Sequence, residues 1–224
     1  FRKSYSKVLR RIPETRLVVE SVPSHFSQDA FNLYNDYHIK KHDKPIKSEY
    51  SYAEHAVNSP MSNQTVCGVQ CGTYHQLYRL DGRLVAVAVI DIVPKGIVSL
   101  YMWYSLDKEV SKYSFGVYSA LKEIEKVREL SKINPEMKYY YLQGWNDSNK
   151  KLAYKANYPP EEFYCACVTP EWLPSLEAVK EAKEKYLQDH TQDQNGHPSS
   201  SPIAVESTKD KKVSTDVPCS AFEK

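Results

Sequence analysis

Glycine is scarce in this chain, at 7 of 224 residues. So little glycine argues against a collagen-like chain, a Gly-rich linker or a multi-glycine phosphate loop. Charge of one sign is also lacking. Thirty Lys and Arg stand against 28 Asp and Glu, a formal +2 with a pI near 8.2. That balance carries no bulk signature of nucleic-acid binding, although local basic patches remain open. Long apolar runs are missing too. Val85–Ile90, continued by Ile92 and Val93, is broken by Asp91 and falls far short of the ~20 residues a bilayer span needs. No membrane partner is expected, and the N-terminus shows no apolar segment of signal-peptide length. The 5 cysteines (Cys67, Cys71, Cys165, Cys167 and Cys219) are an odd number, which points to a reduced, intracellular protein. Neither Cys67-Gly-Val-Gln-Cys71 nor Cys165-Ala-Cys167 has Cys-x-x-Cys spacing, and no suitably placed histidine accompanies them. Free thiols are the expectation, with no metal and no cofactor in this stretch.

Tyrosine, by contrast, is abundant: 18 residues against 6 phenylalanines. Residues 1–13 form a basic leader (Arg2, Lys3, Lys7, Arg10, Arg11), either an arm for phosphates or a solvated linker. A helix is predicted from Ser27, with Ser27 as cap and Lys40 and Lys41 closing it, and another over Ser48–Ala56. Thr73–Leu80 alternates, Asp81-Gly82 supplies a hairpin turn, and Arg83–Val93 is strongly β-prone. Ile97–Tyr104 reads as a third strand. The helix Ser114–Ile133 then buries Val117, Ala120, Leu121, Ile124, Val127 and Leu130, with Lys122, Glu123, Lys126 and Glu129 toward water. Lys138–Leu142 returns as a strand. Asn149–Ala156 reads as a short helix, Phe163–Val168 as a strand and Pro174–His190 as a charged helix. Residues 191–224 read as a disordered polar tail. The fold class is α+β, a mixed sheet flanked by helices, with residues 14–190 as one domain.

That element order is the heart of the GNAT-like acyltransferase architecture, in which a cofactor's pyrophosphate sits on a glycine-rich helix start. Here Ser105–Ser114 contains no glycine, and Gly116 stands alone inside the helix. The layout is expected without an acyl-CoA site.

The run Tyr74-His75-Gln76-Leu77-Tyr78-Arg79-Leu80-Asp81-Gly82-Arg83, continuing to Pro94, resembles the central motif of eukaryotic arginyl-tRNA–protein transferases. Gly116–Ile124, Tyr139–Leu142, Tyr154-Lys155 and Leu173–Glu177 resemble the same family, in the same order, over about residues 14–180. The resemblance implies an acyltransferase-like fold that takes arginyl-tRNA. It implies transfer of arginine to proteins with N-terminal Asp, Glu or oxidised Cys, which marks them for ubiquitin-dependent degradation. It also implies a cytoplasmic protein, with the nucleus as a second compartment. The family's cysteine-bearing N-terminal domain is expected to precede this part, the chain being a catalytic portion without its front. Gln143–Leu152 departs from the family's His-Ser-Cys-Pro-Lys-Met type of segment, keeping only Ser148 and Lys151, which puts full activity in doubt. A binding module without catalysis and an acyl-CoA N-acyltransferase are the rival readings.

The ester is already activated, so the enzyme must manage a proton, orient two substrates and stabilise an oxyanion. Asp91, a carboxylate in an apolar strand, is the catalytic candidate; the alternative is that it brackets the turn at Pro94 or pairs with an Arg. His75 and Gln76 point to opposite sheet faces and are either substrate-binding or structural. Tyr101, Tyr104, Tyr139 and Tyr141 either stack on the unpaired tRNA terminus or pack the core. Arg79 and Lys155, with Arg83, Lys95 and Lys151, are candidates for tRNA phosphates.

Overall fold

The computed structural model describes residues 3–192 apart from 13, 14, 60, 62, 63, 147, 148, 150, 151, 159, 160, 166 and 167. Lys151, Ser148, Cys167, Cys219 and the tail beyond Gln192 therefore lie outside the described residues. The chain divides into two compact units, one ending at Ala156 and one beginning at Asn157. The division falls inside the span 14–190.

In the first unit the order is α1 (Lys3–Leu9), β1 (Leu17–Pro23), α2 (Gln28–His42), α3 (Glu49–Ala56), β2 (Gln64–Val66), β3 (Val69–Leu80), β4 (Arg83–Val93), β5 (Gly96–Tyr104), α4 (Lys108–Ser111), α5 (Phe115–Leu130) and β6 (Tyr139–Leu142). A 3-10 turn over Ala153–Asn157 stands where the short helix was expected. The sheet runs β1-β3-β4-β5-β6, with β2 paired to β3. Every pairing is antiparallel except β5 with β6. This is the expected α+β layout, a mixed sheet flanked by helices. The hairpin turns at Asp81 and Gly82, both at positive φ (49° and 81°), the combination a tight two-residue turn demands.

Strand alternation sends β4 side chains to two layers. Ala86 and Ala88 pack with Tyr78, Phe115 and Tyr118, and Ile90 and Ile92 with Val127 and Met137, on the α5 side. Val87 and Val89 pack with Ala30, Tyr34, Tyr52 and Trp103, on the α2–α3 side. The Trp103 indole donates to the Ala30 carbonyl at 3.1 Å and so fastens α2 to β5.

Several expectations change. The basic leader contains α1, whose Val8 and Leu9 pack on the core, and Ile12 is 2% exposed. Ser27 occupies the cap position of α2, but its hydroxyl makes no capping bond; Ser48 does cap α3, accepting the Ser51 N–H at 3.2 Å. α5 is rotated from the expected stripe: Tyr118, Ser119 and Glu123 are buried, while Val117 and Ile124 are only half-buried. β1 was not anticipated.

Two irregularities shape the sheet's far side. Val89 pairs with Tyr101 and Ile90 with Ser99, so Leu100 is an extra residue, a β-bulge. β6 pairs only with Gly96–Ser99, leaving β5 beyond Leu100 with no partner on that edge among the described residues. Gly96 permits this pairing, because a Cβ there would lie 2.0 Å from the Tyr139 carbonyl oxygen.

The second unit holds an antiparallel pair, β7 (Phe163–Cys165) with β8 (Thr169–Leu173), and α6 (Leu176–Gln192). A hairpin thus replaces the expected single strand Phe163–Val168. Among the described residues no helix is long and apolar enough to cross a membrane.

Candidate functional site

Asp91 lies on β4 on the face it shares with Val87 and Val89, 9% exposed. Thr73 sits opposite on β3 and donates its hydroxyl to Asp91 Oδ1 at 2.5 Å. A threonine hydroxyl has one proton. Thr73 Oγ1 therefore receives the bond at 2.6 Å from Ser59, whose own oxygen accepts the Met61 N–H at 3.0 Å. Ser59 is exposed, so a chain of hydroxyls runs from the surface to a buried carboxylate. Burial pushes the Asp91 carboxyl above its ordinary range, and the Thr73 bond pulls it part of the way back.

The same lateral row continues through Val98 on β5 to Tyr141 on β6. Tyr139 lies two residues before Tyr141, on the same face, with ring centroids 5.8 Å apart. The bulge brings Tyr101 to this face as well. Its hydroxyl lies 3.2 Å from His38 Nε2 of α2. Burial, and then the charges of His42, Lys44, Lys47 and His55, push His38 down to about 4. Asp91, Tyr101, Tyr139 and Tyr141 therefore form one constellation, with Tyr101 and Tyr139 open to solvent at 37% and 45%. Lys95 is exposed on the turn next to it.

The other candidates stand apart from this constellation. His75 shares the face, yet it is fully buried, its Nε2–H donating to the Ala56 carbonyl at 2.5 Å, so it ties β3 to the end of α3. Gln76 faces α5, 2% exposed, and accepts the Tyr78 hydroxyl at 2.8 Å. Tyr104 pairs laterally with Ala86, and its ring meets Tyr37 at 5.1 Å. Arg79 belongs to the hairpin end, six residues from Thr73 or roughly 20 Å at strand rise. Arg83, at that end too, pairs with Asp107 at 2.9 Å beside a cavity of about 470 Å³ lined by Arg16, Asp81 and Lys108. Lys155 donates to the Gln143 carbonyl, and burial lowers its pKa. Of the cysteines, Cys67 is exposed and Cys71 buried, and no group of three metal-ligating side chains occurs among the described residues.

Sequence reasoning missed Glu123. Placed on the wet side of α5 by its neighbours Lys122 and Lys126, it is 1% exposed. Its Oε2 accepts the Tyr140 hydroxyl at 2.8 Å, Ser99 donates to it as well, and burial raises it to about 7.

A buried carboxylate on an apolar strand, on the sheet face that also carries Tyr101, Tyr139 and Tyr141, can accept a proton from an amine. Residues 29–165 match the family model described as arginine-tRNA-protein transferase, C terminus. The chain belongs to this family. It is 37% identical over 154 residues to arginyl-tRNA–protein transferase 1 of Drosophila melanogaster, covering 67% of this chain and 31% of that one. It is 38% identical over 167 residues to the Arabidopsis thaliana arginyl-tRNA–protein transferase 1, covering 71% and 26%. The chain thus matches less than a third of the length of these curated relatives. An aspartate/glutamate leucyltransferase of Stutzerimonas stutzeri is 29% identical over 175 residues, covering 76% and 65%.

Proposed function

We propose that the protein carrying this chain transfers arginine from arginyl-tRNA to the α-amino group of acceptor proteins. The observation that carries this reading is Asp91, a buried carboxylate held by Thr73 on the sheet face that also carries Tyr101, Tyr139 and Tyr141, in a chain of the transferase family. The acceptor's α-ammonium gives one proton to Asp91, whose raised affinity for protons makes it a stronger base than an ordinary carboxylate. The freed amine attacks the ester carbonyl; a C–N bond forms, the C–O bond to the tRNA 3′ oxygen breaks, and that oxygen takes up a proton released by the nitrogen. The proton on Asp91 then leaves to water by way of Thr73 and Ser59, whose hydroxyls turn over so that Thr73 accepts from Asp91 and donates to Ser59. Exposed Tyr101 and Tyr139 offer stacking surfaces to the unpaired terminal bases.

Acceptors beginning with Asp, Glu or oxidised Cys are proposed, the first two in keeping with the name of the leucyltransferase relatives. The product then carries N-terminal arginine, a mark for ubiquitin-dependent degradation in the cytoplasm and nucleus. Labelled arginyl-tRNA and a peptide beginning with Asp test this directly. The full-length protein is expected to yield arginyl-peptide and Asp91→Asn to lose about 10²–10⁴-fold in rate. No arginyl-peptide from the full-length protein, or full turnover by Asp91→Asn, overturns the activity or the assignment respectively.

A further inference from the structure

Glu123 has no place in the chemistry above, and its burial calls for a reason. A carboxylate taken out of water is costly unless charge or hydrogen bonds compensate it. None of the ion pairs among the described residues includes Glu123. Its donors come instead from two strands, Ser99 of β5 and Tyr140 of β6, the latter at 2.8 Å. Ile97 pairs with Tyr140 and Ser99 with Leu142, the last rungs of the parallel ladder. The next residue is the bulged Leu100, after which β5 runs on to Tyr104, past the end of β6 at Leu142.

We infer that Glu123 is a positioning residue for the transfer reaction: gripping Ser99 and Tyr140 from α5, it holds the last rungs of the β5–β6 ladder together. That hold fixes the spacing of Tyr101 from Tyr141, which flank the end of the ladder on the other face. This rests on the function proposed above. Tyr78 on β3 and Tyr154 in the 3-10 turn are also near enough to feel the charge of Glu123, with Tyr118 beside Tyr78. All of these phenols stay neutral near pH 7, so Glu123 is the group that changes charge there. Ionised, it holds both hydroxyls by charge-assisted bonds, and protonated it holds them more weakly. The grip tightens as pH rises.

Arginyl transfer to an Asp-initiated peptide, followed from about pH 6 to about 8.5 in the full-length protein, tests this. The ratio of wild-type to Glu123→Gln kcat/KM is expected to climb about tenfold, with an inflection near 7, and mostly through KM for arginyl-tRNA. Tyr140→Phe keeps the carboxylate but removes a donor, so the inflection moves to higher pH. Ser99→Ala acts in the same direction and carries the test should Glu123→Gln fail to fold. Glu123→Gln tracking wild type at every pH, or an inflection unmoved in Tyr140→Phe, overturns the inference. A wild type that transfers no arginine defeats the proposed function instead. In that case the carboxyl NMR titration of Glu123 in wild type and Tyr140→Phe decides, an unchanged titration overturning the clamp.

Discussion

Thr73 and Asp91 face each other across the β3–β4 ladder, hydroxyl to carboxylate, at 2.5 Å. The bond supplies the one interaction that holds Asp91 toward its charged form against the effect of burial. Thr73→Val keeps the shape and removes the donor, so Asp91 titrates higher. The acid limb of the pH–rate profile for arginyl transfer is expected to move to higher pH. A limb left in place would show that Asp91 is not the base being titrated.

Glu123 also links folding to pH. Its folded pKa of about 7 stands above the ordinary 4.5, so the native state holds the proton more tightly than the unfolded chain. Its contribution is full below 4.5 and is lost as pH rises through about 7. Thermal melts of Glu123→Gln are therefore expected to match wild type at about pH 5 and to exceed it by several degrees at about pH 8.

His38 works in the opposite direction. Its ring is held neutral, down to about 4 from an ordinary 6.5, and its Nδ1 finds no partner. Stability is complete above 6.5 and declines as pH falls toward 4, by on the order of 2–3 kcal/mol. Replacing His38 by Gln should flatten this decline in a denaturant titration series. A slope equal to wild type would place the acid sensitivity elsewhere.

Gly96 and Gly116 should respond to alanine with opposite signs. A Cβ at Gly96 collides with the Tyr139 backbone at 2.0 Å, so β5 and β6 must separate; a loss of more than about 2 kcal/mol is expected. At Gly116, inside α5, a Cβ meets nothing within 4 Å, and helix propensity favours alanine by up to about 1 kcal/mol. Urea midpoints of the two variants check both.

Ile12→Ala measures how firmly the basic leader belongs to the fold. At 2% exposure Ile12 is a core residue, and its truncation is expected to cost about 2–4 kcal/mol. A neutral result in chemical denaturation would detach the leader from the core.

The hairpin was legible because Asp81-Gly82 and the β-branched run after it speak locally. Asp91 was legible as a charge with only apolar neighbours. Its partner was not. Counting back from the turn pairs Thr73 with Ile90, but Val85 is an extra residue between the pairs Arg79–Leu84 and Tyr78–Ala86, and this moves Thr73 on to Asp91. Glu123 was misread because helical periodicity sorts residues by polarity, whereas its burial is decided by Ser99 and Tyr140, which approach from strands distant in the chain. Basic residues hid Val8, Leu9 and Ile12 in the same way.

Leu100 has a further consequence. Val98 and Tyr101 are three apart, which in a regular strand sends them to opposite faces; here both look toward α2 and α3. Were Leu100 paired in regular register instead of bulged, every residue after it would change face. Tyr101 would turn toward α5, and the Trp103 indole would lose the Ala30 carbonyl that fastens α2. One inserted residue thus acts as a phase shift, making the attachment of a helix and the placing of Tyr101 on the face of Asp91 inseparable outcomes of a single spacing.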